Sequence, residues 1–280
     1  MSRSTVSGHY LEGTKGPIFV LLWQPSTIPI GCVLVAPPFA EEMNKCRRMV
    51  SEVAMGLAAR GVATLVPDLY GTGDSGGDFA DGDWATWRAD LAASALWSAG
   101  LGYPVTSLLA VRLGCALATT GFEAGELSGV TRSVFWQPVF DGSRYLGQFL
   151  RLRIAASLME DRKETMADLK GRLADGETLE VAGYRLSRQL ATDLERLTPP
   201  KHLPATLGTV AWLEVVREPG APLPPPSLAL IDSSLNRAGL VEATAIPGEP
   251  FWSSTEIVVN KVMISRTLSF LDGSEPVEGS

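Results

Sequence analysis

Residues Val105 to Thr120 read Val-Thr-Ser-Leu-Leu-Ala-Val-Arg-Leu-Gly-Cys-Ala-Leu-Ala-Thr-Thr, and this stretch decides the fold of the chain. The run from Val105 to Ala110 has the composition of a buried strand, and Gly114 opens a helix rich in alanine. A buried strand that turns sharply into a helix lifts the residue at the turn above the carboxyl end of a sheet. We therefore expect Arg112 to be displayed at that edge.

The turn resembles the nucleophile elbow of α/β-hydrolases, in which the middle residue of Gly-x-Ser-x-Gly attacks the substrate. In this chain the five positions are Ala110, Val111, Arg112, Leu113 and Gly114. An arginine side chain has no lone pair available for attack at neutral pH. The pattern therefore predicts an elbow whose serine is absent.

The overall composition is that of an ordinary globular protein. The chain has 280 residues, of which 45% are hydrophobic and 20% charged, enough for one large core with an inserted segment. The net charge of −7 offers no basic surface, so we expect no nucleic-acid partner. The first residues lack an apolar signal sequence, and no uncharged apolar run reaches transmembrane length. We expect a cytoplasmic protein without a transmembrane segment.

Cysteine and histidine are too sparse for a disulfide framework or a metal site. The three cysteines are Cys32, Cys46 and Cys115, and the two histidines are His9 and His202. We expect the thiols to be buried as small hydrophobic groups. The sequence predicts no metal and no cofactor.

A glycine-rich loop follows the predicted strand Val62–Val66. Gly71, Gly73 and Gly76 have the spacing of a dinucleotide-binding loop. However, no helix begins at the third glycine, and the neighbouring aspartates would repel a phosphate. We interpret the loop as a turn and expect no dinucleotide.

The alternation of strands and helices predicts an α/β fold, with a mainly parallel sheet flanked by helices. The predicted strands are Ile18–Trp23, Gly31–Ala36, Val62–Val66, Val105–Ala110, Val130–Val139, Thr209–Val216 and Val241–Ile246. The predicted helices are Met43–Arg60, Trp84–Ala99, Ser227–Ala238 and Thr255–Leu271, together with the elbow helix that opens at Gly114.

The pattern changes between about Asp141 and Pro200. We predict a helix from Ser143 to about Leu173, an extended piece over Gly176–Tyr184 and a second helix over Leu186–Leu197. We interpret residues 141–203 as a cap inserted into a core formed by residues 1–140 and 204–280. Its basic face could rest on a membrane, but a solvated helix face explains the same residues and is favoured.

The loop after the second predicted strand should lie beside the elbow. Its amides at Phe39 or Ala40 could donate to an oxyanion, whereas the two prolines before them cannot. Glu41 and Glu42 follow in the same loop. Because a buried arginine without a partner would cost several kcal/mol, we predict that a carboxylate of this loop pairs with Arg112.

The other two triad positions also hold residues without the required chemistry. Residues 218–226 resemble a loop that carries the acid, with Ala221 in place of an aspartate. Residues 246–252 resemble a loop that carries the base, with Phe251 in place of the histidine. Neither side chain can hold or move a proton, so the sequence predicts that a standard triad is absent.

Two other chemistries stay open at the level of sequence. Cys115 could attack only if Arg112 lowered its pKa, because no histidine lies beside it in the sequence. A carboxylate site is the stronger alternative, with Glu41, Glu42 or Glu249 as general base and Arg112 as electrostatic stabiliser.

Five blocks of sequence resemble a single family. They are residues 37–45 (Pro-Pro-Phe-Ala-Glu-Glu-Met-Asn-Lys), 68–76 (Asp-Leu-Tyr-Gly-Thr-Gly-Asp-Ser-Gly), 135–139 (Phe-Trp-Gln-Pro-Val), 148–153 (Gln-Phe-Leu-Arg-Leu-Arg) and 181–184 (Val-Ala-Gly-Tyr). The chain resembles the exosortase A system-associated hydrolase 2 family of the α/β-hydrolase superfamily, over about residues 15 to 270. The resemblance implies an α/β-hydrolase fold in a bacterial protein encoded near exopolysaccharide and protein-sorting systems. It implies no known reaction, because the family's name rests on its fold.

We expect the cap and the sheet to enclose an apolar pocket with Arg112 at its floor. The predicted pocket residues are Phe39, Ala40, Asn44, Arg112, Leu113, Gln137, Phe251 and Trp252. A guanidinium at that place would hold a carboxylate, phosphate or sugar acid in a forked geometry.

Two functions fit these expectations. The first is binding of an anionic or acyl small molecule, or of a partner protein in polysaccharide or protein sorting, without serine-hydrolase chemistry. The second is hydrolysis of an ester or thioester at a non-standard Glu/Arg site. A homodimer is compatible with both.

Overall fold

A single eight-stranded sheet organises the molecule. The computed structural model describes residues 4–159, 163–235 and 241–272. The sheet strands are β1 (Thr5–Glu12), β2 (Pro17–Gln24), β3 (Gly31–Ala36), β4 (Val62–Asp68), β5 (Val105–Val111), β6 (Arg132–Trp136), β9 (Thr209–Val216) and β10 (Val241–Pro247). A separate two-stranded hairpin consists of β7 (Leu179–Val181) and β8 (Tyr184–Leu186).

The sheet order is β1-β2-β4-β3-β5-β6-β9-β10. The first two strands run antiparallel to their neighbours, and every pairing from β4 to β10 is parallel. The carboxyl ends of the parallel strands therefore meet at one edge, where polar side chains from different strands converge. The predicted α/β fold with a mainly parallel sheet is confirmed.

Helices cover both faces of the sheet. They are α1 (Glu41–Ala58), α2 (Trp84–Gly100), α3 (Leu113–Glu123), α4 (Gly142–Met159), α5 (Met166–Ala174), α6 (Arg188–Arg196), α7 (Pro225–Leu235) and α8 (Lys261–Asp272). Met49 of α1 and Met263 of α8 belong to the buried cluster on one face, whereas Leu91 of α2 and Leu117 of α3 belong to the cluster on the other. None of the helices in the described ranges has the length and apolar character needed to cross a bilayer.

The segment that we interpret as a cap shares its core with the sheet. Tyr145, Phe149 and Leu190 lie in the same buried cluster as Trp87 of α2. Polar contacts also join the segment to the rest of the chain, and two of them involve helices α1 and α2. The Trp84 amide donates to Asp193 Oδ2 at 3.2 Å, and the Asn44 side-chain amide donates to the Tyr184 hydroxyl at 3.0 Å.

Several element boundaries differ from the sequence expectations. The single helix predicted from Ser143 to Leu173 is two helices, α4 and α5, because Thr165 and Asp168 form a capping box that begins a new helix. Strand β1 was not predicted, because only Leu11 of its residues is buried. The closing helix begins at Lys261 and not at Thr255. Helix α7 begins at Pro225, and its predicted end at Ala238 lies outside the described residues.

The glycine-rich loop is filled by a side chain of the protein itself. Asp68 Oδ2 accepts a hydrogen bond from the Asp74 amide at 2.9 Å, and the Asp68 carbonyl accepts one from the Ser75 hydroxyl. A Cβ at Gly73 would lie 1.9 Å from Asp68 Oδ2, so this close approach requires glycine. A carboxylate therefore occupies the space that a phosphate would need.

Candidate functional site

The turn between β5 and α3 has the geometry of an elbow. Arg112 has φ 56° and ψ −121°, a conformation that residues with a Cβ rarely adopt and that costs about 1–3 kcal/mol. Three backbone hydrogen bonds hold it: the Arg112 amide donates to the Trp136 carbonyl at 2.9 Å, and the Arg112 carbonyl accepts from the Cys115 amide at 3.1 Å and from the Val139 amide at 3.2 Å. A Cβ at Gly114 would lie 2.3 Å from the Ala36 carbonyl oxygen, so β3 can approach the turn only because residue 114 is glycine.

A buried ion pair occupies the elbow. Arg112 Nη2 donates to Glu42 Oε1 at 2.9 Å, and Arg112 Nε lies 3.2 and 3.3 Å from the two oxygens of that carboxylate. The two residues are 8% and 6% exposed, so solvent screens them little. The predicted pairing of Arg112 with a carboxylate of the loop after β3 is confirmed, and Glu42 is the partner.

Arg112 has further contacts on its remaining sides. Its guanidinium carbon lies 4.7 Å from the Trp252 ring centre and 5.9 Å from that of Tyr145, both within cation–π range. Nη1 donates to the Gln137 carbonyl at 3.4 Å. Burial alone would lower the pKa of Arg112, but the Glu42 carboxylate more than offsets this and raises it. Arg112 is therefore a fixed and compensated cation.

A cavity of about 240 Å³ lies beside Arg112, between the edge of the sheet and α4. Its floor is buried and largely aromatic, with Phe140, Tyr145 and Trp212. Its rim includes the exposed side chains of Arg144 and Gln148. The full lining is Arg112, Gln137, Pro138, Val139, Phe140, Asp141, Arg144, Tyr145, Gln148, Pro199, Trp212, Glu214, Pro224, Pro226, Ser227 and Leu230.

Glu214 of β9 is the buried acid of this cavity. Its Oε1 accepts hydrogen bonds from Trp212 Nε1 at 3.0 Å and from the Ser227 hydroxyl at 2.5 Å. Its Oε2 is buried and has no hydrogen-bond partner among the described residues. Burial raises the pKa of Glu214, although the Ser227 and Trp212 donors and the Arg112 charge act in the opposite direction.

Solved structures with the same architecture identify the fold. A putative hydrolase from Agrobacterium vitis S4 is 16% identical, with a TM-score of 0.64 over 96% of this chain and 98% of that one. Est1E from Butyrivibrio proteoclasticus is 14% identical, with a TM-score of 0.65 over 94% and 97%. An esterase domain from Rhodothermus marinus is 16% identical, with a TM-score of 0.57 over 96% and 97%. The chain has an α/β-hydrolase fold.

Sequence comparison adds nothing finer to this assignment. No protein-family model matches the chain, and no curated protein matches it at a significant level. At identities of 14–16% the structural likeness establishes the α/β-hydrolase fold alone. Any activity has to be argued from the side chains of this site.

The loop after β3 lies beside the elbow, as predicted, but the space between the two segments is small. Phe39, Ala40, Leu113 and Gly114 line one cleft of about 20 Å³, little more than the room for one water molecule. The Phe39 ring fills this region through edge-to-face contacts, with ring centres 5.2–5.8 Å apart, to four aromatic side chains: Phe79, Trp87, Tyr145 and Phe149.

The eight predicted pocket residues are therefore not brought together in one cavity. Arg112 and Gln137 line the 240 Å³ cavity, whereas Phe39, Ala40 and Leu113 line the small cleft. The side chain of Gln137 also has a structural contact, because its Oε1 accepts a hydrogen bond from the Val215 amide at 2.7 Å.

The remaining predicted pocket residues have other surroundings. Asn44 is exposed on α1 and bonds to Tyr184. Phe251 is 1% exposed and contacts Trp136 edge to face at 5.7 Å, so its ring is part of the core on the α1 and α8 side of the sheet. Of the loop after β10, it is Trp252 that reaches the elbow, by covering Arg112.

The three predicted carboxylates, Glu41, Glu42 and Glu249, differ in their burial and in their hydrogen-bond partners. Glu42 is held by Arg112, and Glu249 is exposed in the loop after β10. Glu41 keeps a buried Oε2 without a hydrogen-bond partner in the described part of the chain. Burial raises the pKa of Glu41, a backbone hydrogen bond opposes this, and the neighbouring Glu42 charge adds to the rise. Of the three, Glu41 is the one with a buried carboxylate oxygen that lacks a hydrogen-bond partner among the described residues.

Alternative nucleophiles are poorly placed. Cys115 is fully buried, its thiol donates to the Ala110 carbonyl at 3.3 Å, and burial raises its pKa far above the ordinary value. The Ser7 hydroxyl bonds to His9 at 2.7 Å, but this pair lies on β1, four strand spacings or about 19 Å from β5. His202 is not among the residues that line the cavity.

Across the described ranges, no group of three or more His, Cys, Asp or Glu residues could hold a metal ion.

Sequence reasoning missed Glu214 and the cavity that it lines. The one available signal was a single charged residue in the apolar strand Thr209–Val216, since a buried carboxyl in a strand needs a specific environment. Arg144, Pro199 and Ser227 come from distant segments, so their convergence at the cavity had no local signature.

Proposed function

We propose that this protein binds a small anionic molecule without serine-hydrolase chemistry. The observation that supports the proposal most strongly is the Arg112–Glu42 ion pair at the nucleophile position. A nucleophile must offer an electron pair to the substrate, and a guanidinium fixed by a carboxylate cannot do so. The elbow therefore has a structural and electrostatic role.

The residues at the other two triad positions are consistent with this proposal. Ala221 has no charge, and Phe251 is buried in the core without a group that could carry a proton. We propose that nucleophile, acid and base have all been replaced, by Arg112, Ala221 and Phe251. Removal of all three groups leaves a scaffold that can bind but lacks the triad's chemistry.

The cavity beside the elbow supports binding. It combines an apolar floor with a few polar groups at defined places, the usual composition of a small-molecule site. Arg144 at its rim has no ion-pair partner among the described residues and is available to an anion. Arg112 also lines the cavity and contributes a positive potential to it, although its Nε and Nη2 groups already donate to Glu42.

One observation favours a second candidate, an ester or thioester hydrolase with a non-standard site. The unpartnered Oε2 of Glu41 and the raised pKa of that group suit a general base that activates water. One solved structure of the same fold is described as an esterase domain, and one of Est1E contains ferulic acid. In this candidate Arg112 would stabilise negative charge, and Glu42 or Glu249 would be the alternative base.

The biological setting that we propose follows from the sequence resemblance. The blocks at residues 37–45 and 135–139 support membership of the exosortase A system-associated hydrolase 2 family. We accordingly propose a cytoplasmic bacterial protein that acts in polysaccharide or protein sorting, alone, as a homodimer or with a protein partner. Residues 141–203 would be the cap that covers the cavity.

Native mass spectrometry tests the binding proposal directly. The purified full-length protein should carry a small anionic molecule that is released on denaturation, or should take one up from a metabolite extract. Arg144→Gln should lower the occupancy, while Arg151→Gln, an exposed arginine on the same helix outside the cavity lining, should leave it unchanged. A protein that never retains a small molecule would contradict the proposal.

An ester assay separates the two candidates. We expect p-nitrophenyl esters of short and medium chain length to be hydrolysed no faster than in buffer, by the wild type and by Arg112→Ala and Glu249→Gln alike. Turnover by the wild type that is lost in Glu41→Gln or Arg112→Ala would establish the hydrolase instead.

A further inference from the structure

Glu214 lines the cavity and has one buried carboxylate oxygen without a hydrogen-bond partner among the described residues. Trp212 Nε1 can only donate, so Glu214 Oε1 must accept, and it accepts from Ser227 as well. Oε2 of the same carboxyl is buried without a partner in the described chain. A buried acceptor in this state costs free energy that a donor on a ligand would recover.

The exposed rim of the cavity carries a positive charge. Arg144 lies in the first turn of α4, and its own backbone amide is satisfied by Asp141 Oδ1 at 2.9 Å. Its guanidinium has no ion pair within the described ranges, and its side chain is exposed. The guanidinium of Arg144 can therefore donate two parallel hydrogen bonds to an anionic group at the rim.

The size and the walls of the cavity limit what can connect these two ends. A cavity of about 150 Å³ accepts benzene, so about 240 Å³ accommodates a molecule of roughly ten non-hydrogen atoms. Phe140, Trp212 and Leu230 contribute buried apolar surface to the cavity lining. Prolines at 138, 199, 224 and 226 give the remaining wall a backbone with few conformations.

We propose that the cavity binds a small anion that also carries a hydroxyl or amino group, with that donor on Glu214 Oε2 and the anionic group on Arg144. The proposal rests on the proposed function, because it assigns the orientation and the chemical class of the ligand in the same site. A molecule with only the anionic group would leave Glu214 Oε2 unsatisfied and would bind more weakly.

Three matched probes test the two ends separately. 4-Hydroxyphenylacetate has both groups, 4-fluorophenylacetate keeps the size and the anion but loses the donor, and 2-(4-hydroxyphenyl)ethanol keeps the donor but loses the anion. We expect titration calorimetry or ligand-observed NMR to show the hydroxylated acid binding about tenfold more tightly than the fluorinated acid, since the donor meets a buried carboxylate. This comparison needs no variant.

Two substitutions locate the effect. Glu214→Gln keeps the shape but places an amide NH₂ where Oε2 stands, because the amide oxygen must still accept from Trp212 and Ser227. The preference for the hydroxylated acid should vanish in this variant and persist in Glu242→Gln, an exposed glutamate on β10. Arg144→Gln should weaken both acids equally and leave the alcohol unchanged, and Arg151→Gln should change none of the three.

The pH dependence gives an independent readout. An ionised Glu214 accepts a donor better than a protonated one, and burial raises the pKa of this group. The preference for the hydroxylated acid should therefore decline as the pH falls through that raised pKa, while the fluorinated acid retains its affinity over the same range.

The outcomes distinguish this inference from the proposed function. Equal affinities of the two acids in the wild type, a preference that survives Glu214→Gln, or failure of all three probes to bind would each overturn the inference. The proposed function is decided by the ester assay and by the retained ligand, neither of which depends on Glu214. A thermal unfolding curve of each variant confirms that a lost preference does not arise from a lost fold.

Discussion

Arg112 and Glu42 come from segments 70 positions apart in the chain and form a buried ion pair with a shortest N–O distance of 2.9 Å. The pair joins the elbow to the first turn of α1, the same two segments that form the oxyanion site in an active α/β-hydrolase. The ion pair therefore links these two segments in the buried interior beside the elbow.

The pair should be strongly coupled. Glu42→Ala leaves a buried guanidinium uncompensated, so we expect the free energy of unfolding to fall by about 3–5 kcal/mol. Arg112→Met on its own leaves a buried carboxylate and should cost a similar amount. In the double variant both charges are gone, and stability should return to within about 1–2 kcal/mol of the wild type. Denaturant unfolding of the four proteins gives the coupling energy.

Glu52→Ala is the matched control, since Glu52 pairs with Arg48 on the exposed side of the same helix. Exposed pairs of this kind contribute about 0–1 kcal/mol. Single effects at 112 and 42 that simply add in the double variant would mean that the two groups do not interact as the geometry indicates.

Restoring a serine should not restore an esterase. Arg112→Ser places a hydroxyl at the elbow, but a serine needs an imidazole to take its proton. The two histidines of the chain are His9 on the edge strand β1 and His202, which is not among the residues that line the cavity. We expect p-nitrophenyl acetate hydrolysis by this variant to equal that of the wild type, and a new activity blocked by a serine-directed phosphonate would contradict this.

Asp90 should make stability depend on pH in the acid range. Burial raises the pKa of this carboxyl from 3.8 to about 6, although Oδ2 accepts a hydrogen bond from the Tyr70 amide. Because the folded-state pKa is the higher one, folding favours the protonated form, and this stabilisation is lost as the pH rises from about 3.8 to about 6.

We therefore expect the wild type to lose about 1–2 kcal/mol of unfolding free energy over that range relative to Asp90→Asn, after allowance for solvent screening. Denaturant titrations at half-unit pH intervals measure the difference. Asp232→Asn, at an exposed position of α7, is the control and should follow the wild type. Parallel curves for the wild type and Asp90→Asn would show that Asp90 does not titrate in this range.

The three thiols should be inert in the folded protein. Cys32, Cys46 and Cys115 are all fully buried, and burial raises the pKa of Cys32 to about 11 and also raises the pKa of Cys46 and of Cys115 well above the ordinary value. We expect iodoacetamide at pH 8 to modify none of them in the native state and all three in denaturant, as counted by mass spectrometry. Ser143→Cys, at an exposed site on α4, should be modified at once. Native labelling of Cys115 would reopen its role as a nucleophile.

The fold could be predicted because its signals are local. Two of the predicted strands, Ile18–Trp23 and Gly31–Ala36, are continuous apolar runs, and the elbow is formed by consecutive residues that end at Gly114. Strand β1 was not predicted, because an edge strand with one buried side chain has no apolar pattern. The break before α5 was readable in principle, since Thr165 and Asp168 have the spacing of a capping box.

The site was only partly predictable, because distance in sequence hides convergence in space. The need to compensate Arg112 pointed to Glu41 or Glu42, and the structure selects Glu42. Nothing in the sequence shows that Phe39 closes the space in front of the elbow, because its aromatic neighbours come from α2, α4 and the turn before α2. Glu214 can be recognised as a site residue only from the structure, which shows that Ser227 and Arg144 line the same cavity.

The left-handed backbone at residue 112 has one more consequence. Its backbone amide donates to β6, its carbonyl accepts from the segment after β6, and Gly114 lies close against β3; none of these contacts involves the side chain at 112. The backbone at position 112 therefore does not depend on which side chain is present there, and any side chain at this position starts from the same point in space. Exchange of that one side chain can change the chemistry presented at this edge while the framework around it is preserved.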